Sequence, residues 1–169
     1  MIKGLSALVW ATLMLLLPTT QAAAEEWSYE GGGVPIAYLD NGRAQFQFAC
    51  RGGDLAMGFW VRAPEQEVAS AASMSVAITP DPTEGAGVSA NEGASFAQDM
   101  PLIHSGGAWM VVRGPVARQW AAIAQKAKAK MAVAFVHKNA KGGFDHYDTN
   151  EFGAGGSAAA IKKVLARCG

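Results

Sequence analysis

The run DNGRAQFQFACRGGDLAMGFWV, residues 40–61, decides the fold class. Asn41-Gly42 between two alternating stretches is the strongest short-range signal for a β-hairpin. After it, Ala44, Phe46, Phe48 and Cys50 share one face of a strand, and Arg43, Gln45 and Gln47 share the other. Cys50 therefore points into the core with two phenylalanines. Arg51-Gly52-Gly53-Asp54 turns the chain, and Leu55, Met57, Phe59 and Val61 then alternate with Ala56, Gly58, Trp60 and Arg62. With Val34–Leu39 upstream, the product is a three-stranded antiparallel meander. Trp60 lies on the face opposite the Leu55/Met57/Phe59 stripe, and a face carrying a tryptophan needs a helix of the protein or a partner to cover it. A helix of the protein is the first expectation.

Downstream, Pro64–Val68 reads as a polar connection, and Met74, Val76 and Ile78 mark a fourth strand stopped by Thr79-Pro80-Asp81-Pro82. Thr83–Asp99 is rich in Gly, Ala and Ser and reads as weak strands or a long loop. Ala108–Val112 is a continuous apolar run, the pattern of a buried strand. Pro115, just past Gly114, opens a helix whose apolar stripe is Val116, Trp120, Ile123 and Ala127, with Lys126, Lys128 and Lys130 crowding its last turn. Met131–His137 and Phe144–Phe152 form an antiparallel pair about the Asn139–Gly143 turn. A terminal helix follows, N-capped by Ser157, with Ile161, Val164, Leu165 and Cys168 on one side. The pattern predicts a mainly β (β-rich α+β) fold: an antiparallel β-sandwich or curled sheet of about seven or eight strands, with one internal helix and a C-terminal helix.

The N-terminal stretch has the pattern of a signal peptide over residues 1–24. Lys3 is followed by the apolar Leu5–Leu17 and by Ala22-Ala23-Ala24 ahead of Glu25. The apolar run is too short for a spanning helix, which needs about 20 residues, so no stable membrane insertion is expected after cleavage. Residues 25–169 are then a single domain of periplasmic or secreted location. Export favours disulfides, and Cys50 and Cys168 allow one intramolecular bridge, worth on the order of 4–5 kcal/mol in the chain-entropy model. Free thiols or bridges between chains are the alternatives.

A net charge of zero conceals a division. Residues 25–114 carry four Lys/Arg against eleven Asp/Glu, and residues 115–169 carry nine against three. Such a dipolar surface suits electrostatic docking to a protein partner, and Trp60, Arg118, Lys126, Lys128 and Lys130 are the expected partner surface. No basic run is interleaved with aromatics, so nucleic acid is not an expected partner.

Motifs for chemistry are sparse. Gly153-Ala154-Gly155-Gly156-Ser157-Ala158 fits a dinucleotide fingerprint, but the chain has no return strand or acidic residue beyond it, so it reads as a turn between strand and helix. No G-x-S-x-G elbow occurs, no catalytic residue is assigned, and no cofactor is implied. The methionines read as core filler rather than copper ligands. A metal site has one alternative: pairing about Asn139–Gly143 sets His137 opposite Phe144 and His146 opposite Phe135. Both histidines then lie on one face, roughly 7–8 Å apart, with Asp148 nearby.

Phe152, Gly156, Ser157, Ala160, Ile161 and Cys168, preceded by the Met131–His137 strand, resemble the tail of small exported proteins of Gram-negative bacteria. In that tail a late strand runs into F-x-x-x-G-S/F-x-x-A-I/L and a short helix, often with a terminal cysteine. The chain looks most like the type VI secretion-associated VasI-like proteins and less closely like invasion-associated locus B proteins. An early strand ending in cysteine, here Phe46–Cys50, also suits the first group. The resemblance implies a non-catalytic, β-rich envelope or secreted protein. The expected function is that of a non-enzymatic periplasmic or secreted protein that binds or helps assemble such a partner. The alternatives are an inhibitor or immunity-type binder of an exported enzyme, and a small metal-dependent hydrolase using His137, His146 and Asp148.

Overall fold

Local chemistry at Asn41 closes the first long hairpin. Its Oδ1 accepts from the backbone N–H groups of Arg43 and Ala44 at 3.0 and 2.8 Å, and Gly42 takes the positive φ of 86° that the turn requires. A computed structural model describes residues 26–84, 88 and 95–168. The leader expected over residues 1–24 lies outside the described residues, as do 85–87 and 89–94 within the expected loop.

The described elements are β1 (Ser28–Glu30), β2 (Ile36–Asp40), β3 (Ala44–Arg51), β4 (Asp54–Val61), α1 (Gln66–Ser70), β5 (Ser73–Pro80), β6 (Ser95–Pro101), β7 (Ile103–His104), β8 (Ala108–Arg113), α2 (Pro115–Lys126), β9 (Lys130–Lys138), β10 (Phe144–Gly153) and α3 (Ser157–Leu165). They form two antiparallel sheets, one of six strands in the order β1-β2-β3-β4-β8-β7 and one of four in the order β10-β9-β5-β6. The mainly β fold with an internal and a C-terminal helix is therefore present. Ten strands replace the expected seven or eight, because β1 and β7 are too short to show a period. Pro64–Val68 is also more than a connection. Gln66–Ser70 forms a third helix, α1, which buries Val68.

The alternation of β3 and β4 sets one face of the six-stranded sheet against the four-stranded one. Phe46 lies 5.6 Å from Phe152 between ring centroids, and Phe59 lies 4.9 Å from Phe135. All four rings are fully buried, each contributing roughly 1.5–3 kcal/mol relative to exposure. The methionines at 57, 74, 110 and 131 are buried in the same core. Helices α2 and α3 cover the rest of that face: Trp120 reaches the Phe46 ring, and its indole N–H donates to Ser95 Oγ at 3.0 Å. The buried face of α2 is Ala117, Trp120, Ala121 and Ala124, turned about one residue from the expected stripe, with Val116 and Ile123 at its shoulder. Three alanines let the helix backbone approach closely, which the larger side chains would prevent.

The tail closes the core. Cys50 and Cys168 form a disulfide with Cα atoms 5.5 Å apart, spanning 118 positions, so the thiol and interchain alternatives fall away. Ser157 is not the N-cap of α3. Gly156, with φ 76°, takes that place, and Ser157 Oγ donates to Ala124 O at 2.8 Å, tying α3 to α2. The glycine turn is occupied by Trp27, whose backbone N–H donates to Gly155 O and whose indole N–H donates to Gly153 O. No described helix is long and apolar enough to cross a membrane.

Candidate functional site: the open face of the six-stranded sheet

Because Phe59 and Met110 point into the core, the pleat sends Trp60 and Trp109 to the other side of the sheet. The register aligns Ile103, Trp109, Trp60, Gln45 and Asp40 as one row across β7, β8, β4, β3 and β2. The two indoles stack, with centroids 4.9 Å apart and planes at 12°. The Arg62 guanidinium sits 4.4 Å from the Trp60 centroid and pairs with Asp40 through both nitrogens. The hydrogen bond from Arg62 holds the Asp40 carboxyl below the usual carboxylate range. Carboxylate, guanidinium and two indoles thus form a continuous strip.

The neighbouring row runs through Tyr38, Gln47, Gly58 and Val111. Gln45 Nε2 donates to Gln47 Oε1 at 2.9 Å, and Tyr38 Oη donates to Glu30 Oε1 at 2.8 Å, which together with partial burial raises the tyrosine pKa. Gly58 lies between Gln47 and Val111 in this row, and a Cβ there would come within 3.0 Å of the Gln47 side chain. At one end the turn through Gly107 presses on Trp60. Among the described residues, Trp60 Nε1 is the buried side-chain polar atom without a hydrogen-bond partner. Such a group is uncommon in folded proteins and carries a desolvation penalty.

Among the described residues, the expected helix does not cover this face. The buried apolar residues of α1, α2 and α3 all belong to the core on the opposite side. Trp27 and Trp120 are core residues, leaving Trp60 and Trp109 as the outward tryptophans among the described residues.

The expected partner surface divides in two. Arg118 and Lys126 are exposed on α2, which packs against the inner face of the sheet that carries Trp60 outward. Lys128 and Lys130 are not in the last helical turn, because α2 ends at Lys126. Asp81 stops it there: its carboxylate accepts from the backbone N–H groups of Lys128, Ala129 and Lys130. Lys130 then opens β9 and pairs with Glu151 at 2.8 Å.

The histidine cluster is taken apart by a shift of one residue. His137 pairs with Asp145 and His146 with Val136, so the two histidines lie on opposite faces of the four-stranded sheet. Phe144 pairs with Lys138 and stacks on Phe96 on the outer face, away from Phe135 and Phe152. Asp148 occupies a bulge in β10 with φ 48° and is buried. Its carboxylate accepts from the Glu65 N–H, and its own N–H donates to Glu65 Oε1, both at 2.9 Å. Burial raises the Asp148 pKa against the lowering effect of the Glu65 N–H. The arrangement anchors the start of α1 to the bulge. Among the described residues, no group of three His, Cys, Asp or Glu side chains is placed to hold a metal.

Asp40, Arg62 and Trp109 were the participants hardest to find from sequence. Arg62 shares the parity of Trp60, which was available as a signal, but Trp109 sits in an apolar run with no visible alternation. Neither a family model, nor a curated protein, nor a solved structure matches the chain.

Proposed function

We propose that this is a non-enzymatic periplasmic or secreted protein that binds, or helps assemble, an envelope or secreted partner through the open face of the six-stranded sheet. The observation that carries the reading is the strip of Trp109, Trp60, Arg62 and Asp40, which the described helices leave uncovered. Aromatic residues and arginine are the side chains most enriched among interface hot spots. The Cys50–Cys168 disulfide supports an oxidising compartment, and the pattern of residues 1–24 supports export. The likeness of the tail to VasI-like and invasion-associated locus B-like proteins points the same way. A photoreactive residue at Gln45 should cross-link to one discrete partner in cells and should lose that product on Trp60→Ala. Cross-linking to no partner, or an unchanged product in the variant, would overturn the reading. Cell fractionation with intact mass before and after reduction checks the compartment and the bridge together.

A second reading, an inhibitor or immunity-type binder of an exported enzyme, is favoured by the division of charge between residues 25–114 and 115–169. A hydrolase using His137, His146 and Asp148 is not carried further, because the register separates the first two and Glu65 engages the third.

A further inference from the structure

Helices α2 and α3 contain no acidic residue, and their exposed positions include Arg118, Lys126, Lys162 and Lys163, with Lys128 and Arg167 just beyond their ends. None of these six forms an ion pair within the described residues, where the salt bridges are Arg62–Asp40 and Lys130–Glu151. Beside α2 runs a groove of about 370 Å³ lined by Pro80, Asp81, Gln119, Ala122, Ile123 and Lys126. That volume falls at the small end of ligand pockets, roughly 300–1,000 Å³. Its lining is mostly apolar, and its one acid, Asp81, already accepts three backbone N–H groups. The groove therefore presents a mostly apolar slot with one cation, Lys126, and one carboxylate, Asp81, in its lining; Arg118 lies one helical turn before Ala122 on α2, and Lys128 lies two residues beyond Lys126.

We propose that this groove docks an acidic peptide segment of a protein partner, one apolar side chain entering between Ala122, Ile123 and Pro80 while Arg118, Lys126 and Lys128 meet the segment's carboxylates. The proposal rests on the partner-binding reading and adds the partner's chemistry at a second surface. Charge complementarity selects the acid, and the slot selects a single anchor. A bilayer fits less well. The exposed large apolar side chains of the described residues are Val34, Ile103 and Phe144, and none lies on either helix to enter a membrane interface.

The test uses the mature chain and a short fluorescent peptide of Glu and Ser with one central Leu, read by anisotropy at low and high salt. The same peptide with Ala for Leu, and vesicles of anionic phospholipid, are the comparisons. The Leu peptide should bind, weaken with salt, and lose about tenfold in affinity when Leu becomes Ala, the size of a lost interface anchor. Ala122→Trp should fill the slot and produce a similar loss. Lys126→Glu should weaken binding and flatten the salt dependence, whereas Lys141→Glu, the same charge change on the β9–β10 turn, should leave binding unchanged. Both α2 positions are exposed, so circular dichroism should show the fold intact in each variant. Equal binding of the Ala peptide, no effect of Ala122→Trp, an equal effect of Lys141→Glu, or binding of vesicles in place of peptide would each overturn the proposal. Cross-linking from Gln45 reports on the other surface, so the two readings can fail separately.

Discussion

The outer faces of the two sheets are built from different side chains and meet different fates. On the four-stranded sheet, Ala77, Ala132, Ala134 and Val136 are fully buried beneath Val88, with Phe96 packed against them. On the six-stranded sheet, Tyr38, Gln45, Gln47, Trp60 and Trp109 remain half-exposed. Alanines leave room for the chain itself to lie across a sheet, and the excursion between β5 and β6 does so at Val88. The glutamines hydrogen-bond along their strand and the two indoles stack across strands, although Trp60 Nε1 keeps no hydrogen-bond partner. Among the described residues, one outer face is therefore closed by the chain itself and the other is not.

The comparison is broken most forcefully by a charge. Ala134→Glu would place a carboxylate in a fully buried position and should cost about 3–5 kcal/mol, the range for an uncompensated buried charge, in chemical denaturation. Gln47→Glu on the other outer face should cost no more than about 0.5 kcal/mol. Equal losses would mean that the six-stranded sheet is also closed.

Removing the disulfide sharpens the comparison from the inner side. The paired change Cys50→Ser with Cys168→Ser should lower stability by about 2–5 kcal/mol. Because the bridge binds α3 to the inner face, the exciton-coupled dichroism of the Trp60–Trp109 stack should persist in the variant. Loss of that signal in a still-folded protein would show that the two faces of the sheet are coupled.

Gly107→Ala acts on the open face directly. Gly107 has φ 135°, and an added Cβ would meet the Val61 carbonyl and come 2.6 Å from Trp60 Nε1. The expected cost is about 1–3 kcal/mol of backbone strain and displacement, with a weakened stack in dichroism.

The smallest effect is electrostatic. The folded-state pKa of Asp40 is lowered by Arg62, so the pair's stabilisation is present above the unfolded carboxylate value near ~3.9 and is lost as pH falls through the folded one. An NMR titration of the Asp40 carboxyl should show its midpoint rising toward the ordinary value in Arg62→Gln. An unmoved midpoint would remove Arg62 from the strip.

How much of this was legible depended on the range of the physics involved. The pleat has a period of two wherever a strand forms, so Phe46, Phe48, Cys50, Leu55, Met57 and Phe59 are assigned to the inside by residues 40–61 alone. The same alternation aims Cys50 inward, and with only two cysteines in the chain the bridge to Cys168 follows. Trp60 is placed outward by the same rule. Where the period is helical, neighbouring phases compete. Trp120 belongs to both the expected and the observed stripe of α2, and the choice between Val116/Ile123 and Ala117/Ala121/Ala124 was made by how closely the sheet and α3 approach.

Register and cover belong to the tertiary structure. His137 and His146 differ from the expected pairing by one residue, which the closure of the Asn139–Gly143 loop decides and which moves side chains from one face to the other. Ser157 has the chemistry of a cap, but the proximity of Ala124 gave its hydroxyl a different acceptor. The sequence by itself determined which side chains alternate toward a core and that its two cysteines can meet. Only the packed molecule decided that Val88 would lie over the outer face of the four-stranded sheet, because that contact joins segments distant along the chain and no local period records it.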